Sequence, residues 1–173
     1  MNHYDFTSFH CPRWEELPDL GLYMDQVLIV AEGALRPLFP NDPVVLTPTM
    51  VNNYVKQQVL IPSEKKKYRR EHLATLITIT ILKRVLSVAE IKFVLERLAQ
   101  TADVAAGYDL FCTQLERRLC GASGMDHCDP ILSSAVDAVA GKLMFESKCA
   151  ALVPQEKPVE KKKRKNTDEQ GRD

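Results

Sequence analysis

Residues 47–70 read TPTMVNNYVKQQVLIPSEKKKYRR, and this stretch decides the fold. Thr47 supplies a hydroxyl N-cap and Pro48 stands at the first helical position, where a missing N–H costs nothing. Pro62 bars continuation, so the spacing predicts a short helix over about Pro48–Gln58. Val51, Tyr54 and Val55 share one face of it, and Asn52, Asn53, Lys56 and Gln57 occupy much of the remainder. Such a polar face suits base edges: Asn and Gln bond adenine bidentately, and Lys contacts guanine or phosphate. After Pro62, the cations Lys65, Lys66, Lys67, Arg69 and Arg70 surround Tyr68. Two short arms around a turn predict a small β-wing there.

Working outward toward the C-terminus, Glu71–Val85 reads as a helix apolar on nearly every side, which a domain buries at its centre. Ser87 opens the next helix with Glu90 at the capping-box position, and Val88, Ile91, Leu95 and Leu98 form its stripe. A fifth helix spans about Ala102–Cys120, with Val104, Tyr108, Phe111, Leu115 and Leu119 as its seam. GASGMDHCDP (residues 121–130) is a loop, and a sixth helix covers about Pro130–Ala150. From Pro154 the chain is charged and without apolar spacing, the composition of a disordered tail.

Toward the N-terminus, Tyr23, Val27, Ala31, Leu35 and Leu38 fall at helical spacing within Leu20–Phe39. Asp19 is positioned to cap this helix, and residues 40–43 (PNDP) turn the chain. Residues 1–19 form an extended lead-in, anchored by Trp14 and Leu17. The expected organisation is therefore a lead-in (1–19), a mainly all-α domain (20–100), a C-terminal helical extension (101–152) and a charged tail (153–173).

The chain has 173 residues, of which 45% are hydrophobic and 27% charged, the balance of a globular protein with a normal core. Its 7 glycines fall in no phosphate-cradling pattern. No apolar run approaches the roughly 18 residues of a membrane span, and the first residues lack the basic start and apolar stretch of a signal peptide. These features predict a cytoplasmic protein with no membrane partner. The formal net charge is zero, but the charges segregate: −5 over residues 1–43, +6 over 44–98, −3 over 99–153 and +2 over 154–173. A basic block within the folded region points to an anionic partner, most simply nucleic acid.

Five cysteines, an odd number, argue against a disulfide framework in a cytosolic chain. Cys112 and Cys120 stand eight positions apart on one helix, about 12 Å of rise, too far to share an ion, so no metal is expected. Glu71 and His72 are sequence neighbours and diverge on a helix. His3 and His10 lie in the lead-in, and His127 adjoins only Cys128. No nucleophile, base and orienting group assemble, so neither catalysis nor a cofactor is expected.

The order of elements from Thr47 to Leu98 resembles the winged helix-turn-helix of MerR-type bacterial regulators. In that pattern an aromatic-ended recognition helix precedes Gly-Leu-Leu-x-Pro, a basic wing, a helix of spaced Leu and Ile, and Ser-Leu-x-Glu-Ile. Here stand Asn52-Asn53-Tyr54, then Val59-Leu60-Ile61-Pro62, Lys66-Lys67-Tyr68, the series Leu73, Leu76 and Ile79, and Ser87-Val88-Ala89-Glu90-Ile91. Three features depart from it: Asn52-Asn53-Tyr54 replaces Arg-Tyr-Tyr, Gln58 replaces the Gly, and a long turn separates the first two helices. Trp14 to about Leu98 further resembles the bacterial DUF1836 family, through LPDLGLYMDQV, T-x-T-M-x-N-N-Y-V-K and P-x-x-K-K-x-Y-x-R-E-H-L.

The MerR resemblance implies a transcriptional regulator that places the Thr49–Gln58 helix in the major groove of double-stranded DNA. Thr49, Asn52, Asn53, Lys56 and Gln57 would lie near DNA, with Asn52 and Asn53 reading bases and Thr49 and Lys56 holding phosphate. Lys65, Lys66, Lys67, Arg69 and Arg70 would flank the backbone, with Tyr68 packed at the wing base and its hydroxyl toward a phosphate. About five to seven neutralised phosphates per protomer would follow. The C-terminal helices, about Ala102–Cys120 and Pro130–Ala150, would form either a homodimer surface or an effector-responsive one. The competing reading is a helical protein–protein interaction module that has lost DNA binding.

Overall fold

The computed structural model describes residue 6 and residues 8–101, 103–121 and 129–152. The expected 121–130 loop, His127, Cys128 and the charged tail lie wholly or largely outside these residues. Among the described residues, six α-helices follow one short 3₁₀ turn at Trp14–Glu16: α1 (Met24–Leu35), α2 (Pro48–Lys56), α3 (Arg70–Leu82), α4 (Val88–Thr101), α5 (Val104–Leu119) and α6 (Pro130–Leu152). The mainly all-α expectation holds.

The apolar series REHLATLITITIL explains why α3 is central. Its side chains from His72 to Leu82 are buried apart from Thr75, and it packs against α1, α4, α5 and α6. One apolar cluster runs from Phe6 to Leu143, so the N-terminal segment, the α1–α4 region and the C-terminal helices share a core. Two buried polar groups in α3 are accommodated differently. Thr78 Oγ1 donates to Ala74 O at 2.9 Å, whereas Thr80 Oγ1 has no partner among the described residues.

Helix boundaries follow local chemistry. Thr47 Oγ1 accepts from Met50 N–H at 3.2 Å, the expected cap of α2. The Ser87–Glu90 capping box forms in both directions: Ser87 N–H donates to Glu90 at 2.7 Å and Glu90 N–H to Ser87 Oγ at 3.3 Å. Asp103 caps α5 through Ala106 N–H, and Asp129 caps α6 through Ile131 N–H.

The start of the first helix needs correction. Asp19 does not cap it. Tyr23 stands at the N-cap, mostly exposed, with its N–H donated to Gln26 Oε1 at 2.9 Å. Residues 20–22 are withdrawn from the helix because Leu22 pairs with Tyr68 in both directions, each N–H···O distance 2.8 Å. The helix also ends at Leu35 rather than Phe39. Residues 36–47 fold back as a pinned loop: Arg36 donates to Asp42 O at 2.6 Å, Lys83 to Val45 O at 3.2 Å, and Arg84 pairs with Asp42 while its guanidinium lies 4.2 Å from the Phe39 ring centroid.

The expected β-wing is also corrected. The described residues contain no strand, only the isolated bridges Leu22–Tyr68 and Glu64–Lys67. The arms are too short for a ladder. Lys65 and Lys66 form the turn, Tyr68 is claimed by Leu22, and α3 begins at Arg70.

Candidate nucleic-acid interface

Helix α2 divides sharply. Val51 and Tyr54 are buried, while Thr49, Asn52, Asn53, Lys56 and Gln57 are exposed. Positions 49, 52, 53 and 56 recur at three- and four-residue intervals and so form one stripe. Among the described residues, the side chains of Asn52, Asn53 and Lys56 have no protein partner.

The helix is fixed at both ends. At its C-terminus Gln58 adopts φ 56°. Gln58 N–H donates to Val55 O at 3.0 Å and Val59 N–H to Tyr54 O at 3.0 Å, which is a Schellman motif. Gln58 thus occupies the left-handed position that glycine fills best. Buried Val59 and Leu60 then lead the chain away toward α3.

The basic turn follows. Lys65 (φ 49°) and Lys66 (φ 62°) both lie in the left-handed region, the signature of a type I′ turn. Glu64 N–H donates to Lys67 O at 3.1 Å and Lys67 N–H to Glu64 O at 2.8 Å. Lys65, Lys66 and Lys67 are exposed, and Lys67 Nζ sits 5.8 Å from the Tyr23 ring centroid. Gly21 makes room for the Lys67 stem, since a Cβ there would stand 2.8 Å from Lys67 Cδ.

Tyr68 is buried, edge-on to His72 with ring centroids 5.4 Å apart. His72 Nδ1 accepts from Arg69 N–H at 3.0 Å, so the ring proton is on Nε2, facing Pro62 O at 3.3 Å. This histidine is a structural tie between the basic turn and α3. Arg69 is exposed and pairs with Glu64 at 2.9 Å. Arg70 differs from the other cations. Its side chain is 13% exposed, pairs with Glu15 at 2.9 Å, approaches Asp19 at 3.9 Å, and lies 5.8 Å from the Trp14 ring centroid.

The structure therefore exposes both a polar helix face and a lysine turn, while Tyr68 is buried and the Arg70 side chain is largely enclosed. Sequence reasoning missed what supports this arrangement, an N-terminal strap docked on α5. Glu116 on α5 receives the Cys11 N–H at 2.7 Å and the Arg13 guanidinium at 2.9 and 2.5 Å. Asp109, two turns earlier, receives the Trp14 N–H at 2.7 Å. Burial disfavours the Glu116 carboxylate, but Arg13 and the Cys11 amide outweigh it and hold its pKa below the ordinary value. The residues between these anchors and Leu22 reach the basic turn through Arg70 and Tyr68.

No group of three or more His, Cys, Asp or Glu capable of holding a metal occurs among the described residues. No helix among them is long and apolar enough to cross a membrane. A family model described as "Domain of unknown function (DUF1836)" matches residues 12–111. No curated protein and no solved structure matches the chain.

Proposed function

The chain belongs to the DUF1836 family, and from its exposed polar helix we propose that it is a DNA-binding transcriptional regulator of MerR-like design. The observation that carries this reading is the stripe of Thr49, Asn52, Asn53 and Lys56 on a helix capped at both ends and unpartnered among the described residues. Exposed Asn side chains on a helix fixed at both ends match adenine edges in a major groove. Lys56 and the Lys65–Lys67 turn supply phosphate neutralisation, and Thr49 adds a hydroxyl contact near the helix start.

The left-handed Gln58 supports the MerR-like reading of this segment. It stands where that pattern has glycine, in the conformation that calls for glycine. The long loop between α1 and α2 departs from a tight helix-turn-helix corner, but Arg36, Lys83 and Arg84 brace it. Two copies joined through the C-terminal helices would read two half-sites. Phe93 on α4 and Ile131 and Phe145 on α6 are exposed apolar side chains available to such contacts.

The test is a binding selection on fragmented genomic DNA with the full-length protein at about 0.15 M salt. The expected result is one enriched motif, for which Asn53→Ala loses about 1–3 kcal/mol and relaxes base preference. Retention without enrichment, vanishing as salt rises, overturns the reading and favours a protein-interaction module.

A further inference from the structure

The geometry points to Cys11 and Cys112 as an oxidation site, a buried dithiol that a hydroperoxide converts to an intramolecular disulfide stapling the N-terminal strap to α5. The two Sγ atoms lie 2.9 Å apart although the residues are 101 positions apart in sequence. A disulfide bond is about 2.05 Å long, so less than 1 Å of movement closes it. Both side chains are essentially fully buried. Each sulfur is positioned by its own element: Cys112 by helix α5, and Cys11 by its backbone N–H on Glu116 and the adjacent Arg13 clamp. The site is therefore built from both sides.

The surroundings favour this pair over the other thiols. Cys120 is exposed and faces only the Phe6 carbonyl at 3.6 Å, and Cys149 is partly exposed; neither has a sulfur neighbour among the described residues. The Tyr108 phenol stands beside the pair, buried, with its hydroxyl lacking a hydrogen-bond partner of good geometry. Contact with Cys112, then burial, raises the Cys11 pKa well above the ordinary thiol value. Ionisation of the Cys11 thiol is thus disfavoured while the strap is docked. Reaction proceeds when the strap lifts and peroxide and water enter.

One cysteine, as thiolate, attacks a peroxide oxygen. The O–O bond breaks, a sulfenic acid forms, and the other oxygen leaves as water or an alcohol. The second thiol attacks that sulfur, the S–S bond forms, and water departs. Two electrons pass from the two sulfurs to the peroxide, and both thiol protons end in the released products. The closed disulfide then holds residues 11–22, the segment that pairs Glu15 with Arg70 and Leu22 with Tyr68. This inference stands independently of DNA binding.

The experiment treats reduced full-length protein with one equivalent of hydrogen peroxide. Remaining thiols are then alkylated under denaturing conditions and disulfide-linked peptides are identified by mass spectrometry. A dominant Cys11–Cys112 linkage is expected, with Cys120 and Cys149 recovered alkylated. A Tm rise of about 10 °C, reversed by dithiothreitol, should accompany it, because the link closes a long loop. The Cys11→Ser variant should lose the rise while keeping its helical circular dichroism. Full alkylation of both cysteines after treatment, or a dominant linkage through any other cysteine, overturns the proposal.

Discussion

Replacing Gln58 by glycine should stabilise the protein, and the magnitude follows from its place in the fold. Gln58 sits at φ 56°, where a residue bearing Cβ is strained by about 1–2 kcal/mol. Glycine removes that strain but adds unfolded-chain entropy of about 0.5–1 kcal/mol. The Gln58 side chain is exposed and makes no side-chain hydrogen bond among the described residues, so truncation loses no packing. Both Schellman bonds use backbone atoms and persist. The net gain is about 0.5–1 kcal/mol, or roughly 1–4 °C in Tm for a domain of this size. Urea unfolding followed by circular dichroism measures it. Gln58→Ala keeps both the strain and the exposure and should change stability by less than about 0.5 kcal/mol. Gln58→Val adds β-branching at positive φ and should destabilise. A loss of stability in Gln58→Gly, the effect of glycine at a right-handed or extended position, would refute the left-handed cap.

Thr80→Val replaces a buried hydroxyl that has no partner among the described residues, and should stabilise by about 1 kcal/mol in thermal unfolding; destabilisation would mean the hydroxyl is satisfied. Glu116→Gln should destabilise at neutral pH. Because the folded pKa of Glu116 lies below its ordinary 4.5, the carboxylate's contribution is present above that value and disappears as pH falls through the folded pKa. Urea midpoints should therefore converge with wild type in acid, and a pH-independent gap would exclude the Arg13–Glu116 charge as its source. Thr47→Ala removes the α2 cap and should cost about 1 kcal/mol, seen as a lowered Tm. Lys66→Ala should weaken binding to all duplexes alike and reduce the salt slope by about one; an unchanged slope places the turn off the interface.

Elements governed by nearest neighbours were legible in the sequence. Thr47-Pro48, the Ser87–Glu90 pair and the all-round apolarity of residues 73–82 each specify structure within one or two helical turns, and each is realised. Interactions between distant segments were not legible. Leu20–Leu22 carry no local signal that Tyr68 will claim Leu22 as a backbone partner, so helix periodicity placed the start of α1 too early. Nothing in Lys65-Lys66 announces positive φ, which lysine rarely adopts. Glu116 and Cys112 on α5 meet Arg13 and Cys11 about a hundred residues away, and such pairs leave no periodic trace. For the candidate site, the helix face followed from spacing, whereas the inward turn of Arg70 depended on the strap.

That inward turn changes how the basic block should be understood. The +6 over residues 44–98 suggests a strongly cationic surface, but much of the charge is already engaged. Arg69 pairs with Glu64, Arg70 with Glu15, Arg84 with Asp42, Arg97 with Asp129, and Lys83 with a backbone carbonyl. Near the candidate site, the exposed cations without an ion pair among the described residues are Lys56, Lys65, Lys66 and Lys67. Four lysines support fewer phosphate contacts per protomer than the roughly five to seven that the MerR resemblance implies, so sequence-independent attraction should be modest. On the DNA-binding reading, discrimination must then come from the stripe itself, from Asn52 and Asn53, and from a second copy reading a second half-site. The N-terminal strap contributes to this balance, because Glu15 and Asp19 neutralise Arg70, which with Arg69 would otherwise extend the basic turn into α3.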